Sequence, residues 1–133
     1  MAGTPQPAGL IDSNIIIDLT RQLPAARAFI QPFLLIGPPD TSIICTMEVI
    51  QGCLNLQELN RVNSFITLFH AHPVSPSISV SAQSLLAQFT LSHGLEIPDA
   101  LIAATALELR LPHYTLNTKH FAMIPGLQVI RPY

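Results

Sequence analysis

Charged side chains are scarce, at 11% of the 133 residues, against about a quarter in an average globular chain. Apolar residues reach 49%, and that combination excludes an intrinsically disordered chain and a basic nucleic-acid-binding tail. Neither sign of charge forms a block: six basic residues oppose eight acidic ones for a net charge of -2, so no strong long-range field is expected. Long apolar runs are missing too. The longest are short stretches such as Leu101 to Ala104, far below the roughly 18 residues of a membrane span. The apolar excess is therefore expected in a core and a partner interface. Only two cysteines occur, Cys45 and Cys53, without a CxxC spacing. They read as reduced, buried thiols rather than a disulfide or zinc site, and favour a reducing cytoplasm. Tryptophan is absent, with two Tyr and six Phe, which leaves no visible platform for stacking bases.

What is present is an alternation of short apolar runs with helix-length amphipathic segments. Residues 1–9, with two prolines, two glycines and no basic or apolar signal region, read as a flexible leader. Residues 10–133 read as a single domain. Strands are expected at Gly9 to Asp12, Ser42 to Cys45, near Pro73-Val74, at His113 to Leu116 and at Leu127 to Ile130. Between them the pattern predicts helices: one capped by Ser13-Asn14, one from Pro24 to about Pro32, one capped by Thr46, one over Leu56 to Phe69, and one capped by Ser77 or Ser79 that ends at Gly94. The clearest helix starts at Pro98 and runs through an alanine-rich stretch to Arg110. Asn117 to Phe121 reads as a turn of helix. This alternation predicts an α/β fold with a short parallel sheet flanked by helices.

In such a sheet the ligand crevice lies beyond the carboxyl ends of the strands. Asp12, Glu48, Asp99 and Asn117 all fall at strand-to-helix junctions or in first helical turns. Acids there are favoured in ionised form by helix amides, and three carboxylates with an amide suit an open Mg²⁺ or Mn²⁺ site whose remaining positions take water and phosphate oxygens. A metal-activated water then attacks a phosphodiester. Each acid taken singly is equally explained as a helix cap or dipole partner. Asp18 lies more than one and a half turns beyond Asp12 and should face away, into solvent.

The order and context of the segments Leu10-Ile11-Asp12-Ser13-Asn14-Ile15-Ile16-Ile17-Asp18, Met47-Glu48, Ile97-Pro98-Asp99-Ala100-Leu101-Ile102-Ala103-Ala104-Thr105-Ala106 and Thr115-Leu116-Asn117-Thr118-Lys119-His120-Phe121 resemble PIN-domain ribonucleases of the VapC toxin type. The resemblance spans residues 10 to 133 and includes the closing Ile124 to Ile130. It implies a three-layer nuclease fold and a Mg²⁺- or Mn²⁺-dependent endoribonuclease. It also implies a homodimer, and a cognate antitoxin whose C-terminal segment lies across the active site. By position, Asp12, Glu48 and Asp99 match the three recurring acids. Asn117 stands where a fourth acid is common, which leaves the number of metals open. Ser13 and Asn14 match the polar pair after the first acid, as orienting residues or as plain caps. Thr115 either supports Asn117 or reaches substrate phosphate, with an ordinary strand threonine as the alternative. His120 either donates a proton to or touches the substrate, or is structural. Lys119 and Arg110 could meet RNA phosphates or simply solvate the surface. Setting the three acids aside leaves five acids against six bases, so attraction for RNA should be weak. The apolar stretches Ile30 to Ile36 and Val49 to Phe69 are candidates for a dimer seam or an antitoxin groove. The alternative reading is a catalytically weak PIN fold acting as an RNA-binding or protein-interaction module. A phosphoryl-accepting Asp12 is disfavoured, because no second acid follows two residues later.

Overall fold

The computed structural model describes residues 7–133, so most of the expected leader lies outside the described residues. Over the described residues the chain runs β1 (Leu10–Ile11), α1 (Ser13–Thr20), α2 (Pro24–Leu34), β2 (Asp40–Ser42), α3 (Ile43–Gln51), α4 (Leu56–Ile66), β3 (His70–His72), α5 (Pro76–His93), α6 (Ile97–Leu109), β4 (His113–Tyr114) and β5 (Val129–Ile130), with a 3-10 turn at Thr118–His120. The five strands form one sheet in the order β3-β2-β1-β4-β5, and every pairing is parallel. The expected α/β architecture with helices between parallel strands is therefore present. No helix among the described residues is long and apolar enough to cross a membrane.

The central strand β1 is fully buried, and Leu10, Ile11, Ile15, Ile16 and Ile30 form the middle of the core with Cys45, Ile102 and Phe121. Helix α6 is apolar nearly all round: Ala100, Ile102, Ala103, Ala104, Thr105 and Ala106 are all buried. Small side chains at four of those positions let neighbouring backbone approach closely. Its packing against α5 and α3 fixes the N-terminal turn that carries Asp99.

Several boundaries differ from the sequence reading. The second strand ends at Ser42 instead of continuing to Cys45, because the Ser42 hydroxyl accepts from the Ile44 amide at 3.1 Å and starts α3. Thr46 sits inside that helix and donates back to the Ile43 carbonyl at 2.8 Å, so it is not the cap. Helix α2 passes through Pro32 to Leu34. Phe33 is buried in the core and meets Tyr114 edge-on at 5.9 Å, packing that carries the last residues past the proline. The cap of α5 is Ser75, not Ser77 or Ser79, with its hydroxyl on the Ile78 amide at 3.2 Å. Strand β3 precedes Pro73-Val74, since proline offers no ladder donor. Gly94 ends α5 in the left-handed region at φ 67° as expected, whereas Arg110 adopts φ 55° as the cap of α6 rather than its last helical residue.

Gly9, the last residue of the stretch read as a leader, is buried. A Cβ there would overlap the Tyr114 ring, which is itself wedged against Phe29 and Phe33. Gly9→Ala should therefore cost about 1–3 kcal/mol, the usual range for overpacking, measured as a lower urea midpoint at unchanged slope.

Candidate functional site

Asp12 follows β1 and is itself the N-cap of α1, accepting from the Ser13 amide at 2.7 Å. The capping role expected of Ser13 and Asn14 thus falls one residue earlier. Both carboxylate oxygens of Asp12 are occupied. Oδ1 also receives the Cys45 thiol at 3.7 Å, and Oδ2 receives the Thr115 hydroxyl at 2.7 Å and faces His113 Nε2 at 3.3 Å. Burial pushes the Asp12 pKa up, but the hydrogen bond and charge of His113, with the bonds from Thr115 and Ser13, outweigh it and hold the carboxyl below its ordinary range.

Thr115 is completely buried. Its hydroxyl donates to Asp12 and accepts from Asn14 Nδ2 at 3.2 Å and from the Asn117 amide at 3.0 Å. One donor and two acceptor positions are all a hydroxyl has, so its orientation is fully set. Asn14 completes the link by accepting from the Leu116 amide at 3.2 Å. Asn14 therefore joins α1 to the loop that carries Asn117, while Ser13 bonds back to Asp12.

A cavity of about 350 Å³ opens over this network, lined among others by Asp12, Ser13, Asn14, Glu48, Asp99, Asn117 and His120. Residues from the ends of β1 and β4 and the helices α3 and α6 meet there. Glu48 reaches it from α3, and its Oε1 is buried without a hydrogen-bond partner. Burial and the negative charge of Asp12 raise the Glu48 pKa above its ordinary value, opposed in part by a bond from Ser13. Asp99 enters from the first turn of α6 and pairs with His120 Nδ1 at 3.2 Å. Burial raises its pKa, the adjacent His120 charge lowers it, and Asp12 adds a further upward push.

Three participants were not singled out from the sequence. His113 is fully buried, with Nδ1 on the Leu10 carbonyl at 3.2 Å and the opposite nitrogen on Asp12; its position two residues before Thr115 on one strand face was the available signal. Cys45 had been read only as a buried thiol. Burial and then the Asp12 charge push its pKa well up, so it remains a thiol and donates to Asp12. Glu96, the residue before α6, also lines the cavity.

Other expectations are placed elsewhere. Asp18 is absent from the cavity lining, yet it is not simply solvated: it accepts from the Tyr133 hydroxyl at 2.8 Å, and burial together with that carboxylate raises the tyrosine pKa. Lys119 borders an adjoining hollow with Asp99 and His120. Arg110 lies at the far end of α6 from Asp99.

The donor set suits a hard divalent cation. Ligating atoms of Asp12, Glu48 and Cys45 lie within 4.8 Å of one another, and an orphaned buried carboxylate oxygen is a group whose desolvation an ion would offset. With Cys45 protonated, the available ligands are oxygens.

The PIN-domain profile matches residues 9–126. Ribonuclease VapC10 of Mycobacterium tuberculosis is 32% identical over 120 residues, covering 90% of each chain. A chain of a toxin-antitoxin complex from Klebsiella pneumoniae is 34% identical with a TM-score of 0.74, covering 95% of this chain and 98% of that one. A chain of DNA-bound VapBC from Salmonella typhimurium superposes with a TM-score of 0.81 at 21% identity, over 95% of this chain and 98% of that one, a likeness of fold. With the profile spanning nearly all of the described residues and the acidic cavity at the carboxyl end of its parallel sheet, the chain belongs to the PIN-domain family.

Proposed function

We propose that this protein is a divalent-cation-dependent endoribonuclease and the toxin of a toxin-antitoxin pair, with Asp12, Glu48 and Asp99 holding Mg²⁺ or Mn²⁺ and Asn117 assisting at the same cavity. The observation that carries this reading is the meeting of those four residues in one cavity around a buried, unpartnered carboxylate oxygen. Its relatives support it: one is named a ribonuclease, and another belongs to a toxin-antitoxin complex.

When bound, the cation supplies positive charge for the scissile phosphate and lowers the pKa of the water that attacks it. The chain's own groups prepare that site. Asp12 is kept ionised by the Ser13 amide, the Cys45 thiol and the Thr115 hydroxyl, with His113 facing it. His120 orients Asp99, and Asn117 is set by the bond between its amide and Thr115. Attack by water bypasses the ribose 2′-hydroxyl, so the products carry 5′-phosphate and 3′-hydroxyl ends.

The exposed side chains Leu34, Leu35, Ile36, Leu54 and Leu56 provide apolar surface for the antitoxin and a second copy of the chain. They fall in the two stretches singled out in the sequence. A reducing cytoplasm is the compartment consistent with two free cysteines.

The test is incubation with a pool of structured RNAs in EDTA, Mg²⁺ or Mn²⁺, beside Asp99→Asn as the control for contaminating nucleases. Cleavage that needs the cation, gives 5′-phosphate ends and falls at least about a hundredfold in the variant, equivalent to about 2.7 kcal/mol of barrier, is expected. A 2′,3′-cyclic phosphate product would overturn the mechanism. Tight RNA binding without cleavage would favour a binding module instead.

A further inference from the structure

A second cluster of metal-ligating side chains lies away from the acidic cavity and shares no residue with it. Strand β3 is the sheet edge beside β2, and in their parallel register Asp40 stands opposite His70 and Ser42 opposite His72. Residues two apart on a strand face the same side, so His70 and His72 emerge together, next to Asp40. His72 Nε2 lies 2.7 Å from Asp40 Oδ1, and His70 Nδ1 lies 3.5 Å from the same oxygen. The rings lie side by side, tilted by 34° with centroids 4.0 Å apart. One ligating atom from each of the three residues falls within 4.8 Å of the others.

We propose that Asp40, His70 and His72 form a binding site for a borderline transition-metal ion of the Zn²⁺ class. The chemistry separates it from the acidic cavity. Two imidazoles and one carboxylate suit Zn²⁺, Co²⁺ or Ni²⁺, whereas Mg²⁺ prefers oxygen ligands. The backbone supplies the convergence, because a short parallel pair fixes all three Cα positions before any ion arrives. The two ring nitrogens that point toward one Asp40 oxygen would, as unprotonated nitrogens, offer lone pairs to the same region. His70 is largely exposed and His72 mostly covered, which leaves an open approach on one side. Three protein ligands leave a fourth position for water or an added group, the pattern of an open rather than closed zinc site. A bound ion would also tie the edge strand β3 to β2.

The experiment is a calorimetric titration of the tag-free full chain with Zn²⁺ in excess Mg²⁺, followed by imidazole ¹⁵N spectra of the same sample. One equivalent should bind, with the ring nitrogens of His70 and His72 shifting and those of His93 and His113 unmoved. His70→Gln, His72→Gln and Asp40→Asn should each weaken binding by at least about tenfold, the least expected when even a supporting residue of a metal site is lost. Far-UV circular dichroism checks that each variant is folded, and the partly exposed Asp40 gives a second route should a histidine variant fail. Zn²⁺ binding of unchanged affinity in all three folded variants, shifts confined to His120, or no binding at all would overturn the proposal.

Discussion

Asp12→Asn is expected to lose RNA cleavage by about a thousandfold, equivalent to about 4 kcal/mol of barrier, and to destabilise the fold as well. The double effect follows from what Asp12 touches. It is 4% exposed, and its two oxygens receive the Ser13 amide, the Cys45 thiol and the Thr115 hydroxyl and face His113. An asparagine keeps one acceptor oxygen but turns an NH₂ toward groups that were themselves donating. Leaving buried donors unmatched costs about 1–3 kcal/mol. Asp99→Asn gives the contrast, because the partner of Asp99 is a His120 side chain that is 58% exposed. It should lose cleavage while staying within about 1 kcal/mol of wild-type stability, the range of exposed pairs. Urea denaturation and cleavage assays on both variants check this. Retained cleavage in Asp12→Asn, or equal destabilisation by the two changes, would contradict the assignment of roles.

The difference between these aspartates also shows what the sequence made legible. Asp12, Glu48, Asp99 and Asn117 stood out because parallel strands deliver their carboxyl ends to one crevice. Asp12, Asp99 and Asn117 do lie just beyond a strand or in a first helical turn, whereas Glu48 sits in the second turn of α3, because that helix starts at Ile43 rather than at Thr46. His113 and Cys45 did not stand out, because their relation to Asp12 depends on burial across sequence separations of 101 and 33 residues. The Asn14 to Thr115 bond also spans 101 residues, so neither local propensity nor periodicity could distinguish it from capping. The boundary at Ser42 was misplaced for a different reason. Ile43, Ile44 and Cys45 continue an apolar run that suits strand or helix equally, and the choice is made by a single hydroxyl on the Ile44 amide. His70 and His72 carried no message until β3 was located, since two histidines around an alanine converge only if that segment is extended.

Glu48→Gln should separate the cation's role from the fold's. In wild type, Glu48 Oε1 is buried without a partner near the negative Asp12, so the ionised residue opposes folding while no cation is bound. Glutamine has the same shape, no charge, and an NH₂ able to donate. In EDTA the variant should therefore melt at or above the wild-type temperature, yet lose cleavage by about a hundredfold, equivalent to about 2.7 kcal/mol. Adding Mg²⁺ or Mn²⁺ should raise the wild-type midpoint, as any ligand of the native state does, and raise the variant's much less. The pH dependence has a definite sign. Burial and then Asp12 lift the folded-state pKa of Glu48 above its unfolded value, so the folded protein binds its proton more tightly. That contribution is fully present below the ordinary glutamate value and is lost as pH rises through the elevated one. Asp99 is also raised and acts in the same direction in both proteins, while Asp12, held low, contributes in the opposite direction, with stability lost as pH falls through its depressed value. The difference between wild type and Glu48→Gln across the weakly acidic range therefore reports Glu48 together with its coupling to Asp12 and Asp99. Wild type should gain on the variant as pH is lowered in EDTA. A variant less stable than wild type at neutral pH without metal would mean that Glu48 is held by the fold for structure, and the cation would then need other ligands.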